Sequence, residues 1–323
     1  MSLRPRLAHT LALAIFLSTF TPALPAQSAH HPVAASQSAA QSAAPAGLFN
    51  GQRALEYAAR FVAIGARWPG SPGHAKAEAF LQHEFAHDNL EADHFTPNTP
   101  IGPVSMTNYI VRFPGKKDGV IVLSSHYETN YPLRDIAYVG ANDGGSTTGT
   151  LIEIANHLRG HPLDGYSVWL VFFDGEEAFN QWSASDSDYG SRHLASKWQA
   201  DGTLKKIKAF ILLDMIGDKD LNVVRDLNST PWLLDLVKQA ATRYNFQHYF
   251  FQTENTIEDD HLPFVHRGVP CADLIDFDYG PKSFMHPEGY HHTAQDTMDK
   301  ISAHSLTVIG TTVLETIRLL NQR

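Results

Sequence analysis

Continuously apolar segments alternate along the chain with segments of helical periodicity. Residues 168–173 are apolar throughout, which is typical of a strand buried on both faces of a parallel sheet. In contrast, Leu151, Ile154, Ala155 and Leu158 fall on one face of a helix. The pattern predicts strands at residues 107–113, 120–125, 168–173, 209–214 and 271–275, and helices at residues 52–64, 75–87, 146–158, 189–198, 232–243 and 305–320, with a short helix from about residue 260. We therefore expect an α/β fold in which helices flank a mostly parallel, twisted central sheet.

The first 47 residues differ in composition from the rest of the chain. Arg4 and Arg6 precede an apolar stretch at residues 11–20, and small residues follow, so residues 1–26 are predicted to be a secretory signal peptide. A retained N-terminal anchor is the alternative, but the stretch is short for a membrane span and nothing polybasic follows it. Residues 27–47, rich in Ala, Ser and Gln, are predicted to be a disordered leader. Residues 48–323 are then a single catalytic domain of an exported protein, either periplasmic or secreted.

Charge and cysteine content exclude some classes of partner. The formal net charge is −9, and it becomes about −11 without residues 1–26, which carry two arginines and no acid. Nucleic acid is therefore not expected as a partner, and no obligate protein partner is predicted. The single cysteine, Cys271, lies in an apolar segment and is predicted to be a small buried core residue.

Residues with ligand or acid/base chemistry follow the predicted strands. The set comprises His126, Asp143, Glu176, Glu177, Asp214, His291 and His292. Because the carboxyl ends of parallel strands meet at one edge of a sheet, we expect these side chains to lie together. In an adjacent acid pair, one carboxylate can bind a metal ion while the other acts as general acid or base. Taken singly, a histidine is more often structural, Asp143 a helix N-cap and the acid pair a solvated helix start. Taken together, the residues predict a metal site.

The order of these residues resembles that of the zinc aminopeptidase superfamily, peptidase family M28. Several strings resemble its glutaminyl-peptide cyclotransferase branch, namely Ser125-His-Tyr-Glu, Phe172-Phe-Asp-Gly-Glu-Glu-Ala-Phe, Leu212-Leu-Asp-Met-Ile-Gly and Ile257-Glu-Asp-Asp-His-Leu-Pro-Phe. The most discriminating part is Ala178-Phe179 with Trp182, because ordinary aminopeptidases of the superfamily usually continue the acid pair with Gly-Leu. The resemblance extends from about residue 50 to the end of the chain.

The resemblance implies a single catalytic zinc ion per chain. Its ligands would be Asp143, Glu177 and His292, with an open fourth position for a substrate oxygen. Glu176 would be the proton shuttle.

The resemblance also implies the pocket beside the zinc. Asp214 and Asp259 would complete an acidic hydrogen-bonded network with the proton shuttle. Trp182 would form a wall of the substrate pocket, although on its own it would be interpreted as a core aromatic residue. His291 stands before the ligand histidine, where the animal enzymes usually have Trp, so the pocket is expected to differ from theirs in shape.

The implied reaction is cyclisation of an N-terminal glutaminyl residue of a peptide or protein to pyroglutamate, with release of ammonia. Two alternatives stay open. His126, Asp143 and Asp214 are competent ligands for a second metal ion, so the chain also fits a di-zinc aminopeptidase that hydrolyses N-terminal residues. The other alternative is a catalytically silent binding or maturation domain, against which the intact acid pair and histidine argue.

Overall fold

A six-stranded mixed sheet forms the centre of the protein. The computed structural model describes residues 49–160, 163–284 and 289–323, which all belong to one compact unit. The predicted signal peptide and leader lie outside these residues. The strands are β1 (Asn89–Phe95), β2 (Asn98–Thr99), β3 (Gly102–Pro103), β4 (Met106–Phe113), β5 (Gly115–His126), β6 (Leu163–Phe173), β7 (Ile207–Asp214), β8 (Val223–Asp226), β9 (Phe250–Asn255) and β10 (Cys271–Ile275). The helices are α1 (Gly51–Val62), α2 (Pro72–Glu84), α3 (Thr147–Leu158), α4 (Tyr189–Ala200), α5 (Pro231–Thr242), α6 (Leu262–Val265) and α7 (Ala303–Leu320).

The sheet has the strand order β1-β4-β6-β5-β7-β10. Strands β6, β5, β7 and β10 are parallel, whereas β4 pairs antiparallel with β6, and β1 pairs antiparallel with β4. The prediction of an α/β fold with a mostly parallel central sheet is confirmed. The antiparallel edge strand β1 was missed because its sequence, Asn-Leu-Glu-Ala-Asp-His-Phe, is polar and largely solvent-facing.

Alternate residues of the central strands fill two apolar layers, one on each face of the sheet. In β5, Ile121 and Leu123 pack in the layer that contains residues of α1, α3, α5 and α7. Val120 and Val122 point to the other face, where they pack with residues of α4 and α6. Cys271 is buried in this second layer, as predicted, and burial raises the pKa of its thiol. Within the described ranges, no helix is both long enough and apolar enough to cross a membrane.

The parallel register brings the strand ends to one edge of the sheet. In β5, His126 pairs with Phe173 at the end of β6, and in β7, Asp214 pairs with Ile275 at the end of β10. The polar residues that follow these strands therefore start from neighbouring positions.

Gly149 allows α1 and α3 to pack closely. A Cβ atom at this position would lie 2.5 Å from the carbonyl oxygen of Ala54 and 2.7 Å from the backbone nitrogen of Ala58. Helix α3 begins shortly after Asp143. The contact with α1 thus helps to fix the loop that carries Asp143.

We expect Gly149→Ala to lower the free energy of unfolding by roughly 1–3 kcal/mol, because overpacking against a backbone outweighs a gain of about 1 kcal/mol in helix propensity. Chemical denaturation would measure the change. Gln239→Ala, on the exposed face of α5, is the control and should change the free energy by less than about 0.5 kcal/mol. A more stable Gly149→Ala variant would contradict the close-packing argument.

Candidate metal centre and active site

Buried hydrogen bonds fix the chain where β6 ends. The carboxylate of Asp174, the first residue after β6, accepts hydrogen bonds from the backbone nitrogen of Thr107 at 2.8 Å and from the hydroxyl of Tyr127 at 2.9 Å. His74 Nε2 lies 2.9 Å from the same carboxylate. All four residues are buried. The start of the segment that carries the acid pair is therefore held from three sides.

The acid pair itself is buried. Gly175 turns the chain with φ +73°, in the left-handed region that favours glycine. Glu176 is 7% exposed and Glu177 is 2% exposed, and no helix begins here, so the pair is not a solvated helix start. Glu128 Oε1 accepts hydrogen bonds from the backbone nitrogens of Glu176 at 2.6 Å and Glu177 at 3.1 Å. Glu128 thus positions both acids, a role that its place in the Ser125-His-Tyr-Glu string did not predict.

His292 lies close to both of the other predicted zinc ligands. His292 Nε2 lies 2.9 Å from Glu177 Oε1 and 3.4 Å from Asp143 Oδ2. In tetrahedral zinc sites the ligand atoms lie about 2.0–2.1 Å from the metal, so they are roughly 3.3 Å from one another. The observed spacings are close to this value, and two carboxylates balance the charge of one zinc ion. The donor set therefore fits zinc.

Groups that the sequence analysis did not single out support these ligands. Asn130 Nδ2 donates to Glu177 Oε2 at 2.6 Å, and the hydroxyl of Tyr138 donates to Asp143 Oδ2. Asp296 accepts a hydrogen bond from the backbone nitrogen of Asp143 at 3.2 Å. Partners of this kind orient metal ligands and fix their charge state.

Two residues at the site have a left-handed backbone. His292 has φ +52°, and Met215, which follows Asp214, has φ +48°. Each such non-glycine residue costs on the order of 1 kcal/mol, and residues of this kind cluster at functional sites. The strained backbone is thus located at a predicted ligand and beside an acid of the predicted network.

His126 is buried and contacts carboxylates on two sides. Its Nε2 lies 2.9 Å from Asp143 Oδ1 and 3.3 Å from Asp214 Oδ1, and its Nδ1 lies 3.9 Å from Glu176 Oε2. Burial opposes protonation, but these carboxylates together raise the pKa of His126 well above its usual value. His126, Asp143 and Asp214 also bring their ligand atoms within 4.8 Å of one another, so they are competent to hold a second metal ion.

Glu176, Asp214 and Asp259 are buried acids beside the ligands. Burial raises the pKa of Glu176 well above its usual value; Glu177 and Asp259 add to the rise, and His126 opposes it. Burial also raises the pKa of Asp214, and it raises the pKa of Asp259 strongly. A carboxyl group with a raised pKa can both accept and donate a proton near neutral pH.

Behind Asp259 lies a second group of buried acids. Asp260 and Asp273 have no exposed surface, and Asp226 is 1% exposed. His261 lies between two of them, with Nε2 3.1 Å from Asp226 Oδ2 and Nδ1 3.9 Å from Asp273 Oδ2. Burial raises the pKa of Asp260 and the pKa of Asp273 well above their usual values. Asp260 and His261 belong to the string that carried the family resemblance, but no role was predicted for them.

Eight of the nine predicted site residues line a cleft of about 320 Å³. They are Asp143, Glu176, Glu177, Trp182, Asp214, Asp259, His291 and His292. His126, the ninth, contacts the cleft acids from behind. Trp182 is partly exposed and lines the cleft, so it is not a core residue. The ring of His291 packs against Phe277 with centroids 5.3 Å apart, and burial lowers the pKa of His291 to about 3.

Comparisons with known proteins identify the family of the chain. Residues 108–317 match the model of Peptidase family M28. The glutaminyl-peptide cyclotransferase of Boiga irregularis is 30% identical over 294 aligned residues, which cover 78% of this chain and 78% of that protein. The chain belongs to the glutaminyl-peptide cyclotransferase branch of peptidase family M28.

Solved structures of a glutaminyl cyclase and of an exopeptidase are both similar in fold to this chain. The crystal structure of an Acidobacteriales bacterium glutaminyl cyclase is 62% identical, with a TM-score of 0.86, and the match covers 89% of this chain and 99% of that chain. A zinc-dependent exopeptidase from Parabacteroides distasonis is 25% identical, with a TM-score of 0.74, covering 86% of this chain and 99% of that chain. The fold alone therefore does not choose between the two activities.

Neutralising Glu176 and neutralising Glu177 should have different effects on zinc content and turnover. Glu177→Gln should lose zinc as well as activity, because an amide is a poor ligand and leaves the cation undercompensated. Glu176→Gln should keep zinc and lose turnover by on the order of a hundredfold, as expected for a general acid/base. Elemental analysis and steady-state kinetics on both variants test this, and equal zinc loss would contradict the assignment.

Proposed function

We propose that the protein cyclises N-terminal glutaminyl residues of peptides and proteins to pyroglutamate and releases ammonia. The observation that carries the proposal is that Glu176 and Trp182 line the same cleft as the three zinc-binding groups. At about 320 Å³, the cleft is at the small end of ligand pockets, which suits one side chain better than a long peptide segment. The similarity to glutaminyl cyclases of known structure supports the same reaction.

Glu176 is proposed to carry the proton. It would accept a proton from the attacking α-amine and deliver it to the leaving amide nitrogen. The bond between the α-nitrogen and the δ-carbon, which is the carbon of the side-chain amide, forms as the bond from that carbon to the amide nitrogen breaks, so the transferred proton leaves with ammonia. The chemistry that zinc supplies when bound is polarisation of the γ-carbonyl.

The other cleft residues would hold the substrate for this intramolecular attack. Asp214 and Asp259 are buried acids that line the same cleft as Glu176, and they would bind the α-amine and orient the proton carrier. Trp182 would limit the positions open to the glutamine side chain. Holding the amine near the carbonyl contributes to the rate because a correctly oriented intramolecular reaction is strongly favoured.

We propose one zinc ion per chain, held by Asp143, Glu177 and His292. His126 Nε2 lies 2.9 Å from Asp143 Oδ1 and 3.3 Å from Asp214 Oδ1, where a protonated imidazole would balance the charge of these carboxylates without binding metal itself. A reaction whose nucleophile is the substrate amine needs no activated water. A second cation would also oppose the approach of the amine while that amine is protonated.

We also propose that the protein is exported. Residues 1–26 have the charged start, apolar stretch and small residues of a signal peptide. The proposed substrates are therefore peptides or proteins with N-terminal Gln that meet the enzyme in the periplasm or outside the cell.

Product analysis tests the proposed reaction. A peptide that begins with Gln should lose the mass of one ammonia, and its N-terminus should become resistant to amine labelling. Aminoacyl chromogenic amides, offered in parallel, should be hydrolysed poorly. Release of free amino acids, with Gln peptides left uncyclised, would contradict the proposal.

The second candidate is a di-zinc aminopeptidase. It is favoured by the second donor set, His126, Asp143 and Asp214, and by the similarity to the Parabacteroides distasonis zinc-dependent exopeptidase. In that case a water molecule activated between two metals would attack the peptide bond.

Zinc stoichiometry separates the two candidates. We expect one zinc per chain in the active protein, and we expect His126→Gln to retain it, because His126 is not one of the three proposed zinc ligands. Elemental analysis of both proteins, alongside cyclisation assays, provides the measurement. Two zincs in the wild type, with one lost together with activity in His126→Gln, would favour the aminopeptidase.

A further inference from the structure

The loop that carries Trp182 has no helix or strand to hold it. This loop, residues 178–187 and hereafter the Trp182 loop, connects the ligand Glu177 to the start of α4 at Tyr189. Trp182 lies in the middle of the loop, where it lines the cleft. The position of the cleft wall therefore depends on what fixes an irregular segment.

The carboxylate of Asp186 folds the Trp182 loop back on itself. Asp186 Oδ1 accepts hydrogen bonds from the backbone nitrogen of Phe179 at 2.9 Å and from the hydroxyl of Tyr189 at 2.8 Å. Asp186 Oδ2 accepts from the backbone nitrogens of Asn180 at 2.9 Å and Gln181 at 3.0 Å. Three successive amides immediately before Trp182 thus point to one carboxylate.

Only an ionised carboxylate satisfies this arrangement. An aspartate has acceptor sites alone, whereas an asparagine in its place would turn an NH₂ group toward backbone N–H donors. Asp186 is 6% exposed, so water cannot readily replace the lost bonds. Burial opposes ionisation, but the hydrogen bonds from residues 179–181 and Tyr189 outweigh it and lower the pKa of Asp186.

Further contacts close the other half of the Trp182 loop. The backbone nitrogen of Asp186 donates to Ser183 O at 3.0 Å, and the hydroxyl of Ser187 donates to the same oxygen at 2.9 Å. Phe179 packs with Met106 and Tyr189 in a small apolar cluster. The loop is therefore anchored on both sides of Trp182, with Asp186 common to both sets of bonds.

We propose that Asp186 is a positioning residue for substrate binding, because it holds Trp182 as a wall of the glutamine pocket. This inference rests on the proposed cyclase function and adds a determinant of substrate affinity to it. Asp186 does not line the cleft, so its effect is transmitted through the Trp182 loop. The loop also begins next to the proposed zinc ligand Glu177. The rival explanation is therefore an effect transmitted through Glu177, which would change the zinc content, whereas an effect transmitted through Trp182 would not.

Asp186→Asn tests the proposal. We expect KM for a Gln-initiated peptide to rise on the order of tenfold, the factor that corresponds to losing one hydrogen bond to a charged group, with a much smaller change in kcat. Zinc content should stay at the wild-type level. Tyr189→Phe removes one of the four hydrogen bonds and should raise KM by a smaller factor; it also keeps the proposal testable if Asp186→Asn does not fold.

A double-mutant cycle identifies the route of the effect. In a Trp182→Ala background, Asp186→Asn should raise KM little further, because the wall it positions is already absent. Glu315→Gln, which neutralises a buried acid on α7 that is hydrogen-bonded by Arg318, is the matched control and should leave KM unchanged. Additive effects of Asp186→Asn and Trp182→Ala, or loss of zinc in Asp186→Asn, would overturn the proposal.

A spectroscopic readout separates this inference from the proposed reaction. With 5-fluorotryptophan in place of the five tryptophans, the Trp182 signal can be assigned by its loss in Trp182→Phe. Asp186→Asn should shift or broaden that signal and leave the other tryptophan signals in place. This result is expected whatever reaction the enzyme catalyses. An unchanged Trp182 signal would overturn the positioning role, whereas a wild type that cyclises no Gln peptide would count against the proposed function alone.

Discussion

The concentration of buried carboxylates at one edge of the sheet is the constraint on which the site depends. Among the described residues that line the cleft, six are acids, of which all but Glu258 are buried, and none is lysine or arginine. Burying several anions without a compensating cation is unfavourable by several kcal/mol per charge. His126 and His292 balance part of this charge, and a divalent cation between Asp143 and Glu177 would balance much of the rest. The arrangement of the predicted ligands and the need for charge balance thus each indicate a bound metal ion.

The layout of the fold could be predicted because it depends on local patterns. Apolar runs such as residues 168–173 identify buried strands, and the rule that ligands lie at the carboxyl ends of parallel strands then groups His126 with Asp214. Strand β1 could not be predicted in this way, since an edge strand has little apolar surface to bury. Strand β9 was not predicted for a related reason, because only one of its six residues is buried, whereas β8 is mostly buried but has only four residues.

The candidate ligands of the site could be identified from the sequence more readily than the groups that support them. Asp143, Glu177 and His292 occur in strings with ligand chemistry and a recognisable order. No local pattern assigns a supporting role to Asn130 or Asp296, and their contacts with Glu177 and Asp143 join positions 47 and 153 residues apart. Contacts between distant positions arise from tertiary packing, which one sequence does not reveal. The bonds made by Asp186 are local, yet they depend on a loop conformation that has no periodic pattern.

The acids behind Asp259 have a consequence for the folding equilibrium. Asp260 and Asp273 are fully buried, and burial raises the pKa of each well above its usual value. Each group therefore binds its proton more tightly in the folded chain than in the unfolded chain, so folding takes up protons from solution. By linkage, their contribution to the free energy of unfolding is largest below the pKa of the unfolded chain and is lost as pH rises through the folded pKa. Acidification by itself thus favours the folded form through these two residues, the reverse of the usual behaviour of carboxylates in ion pairs.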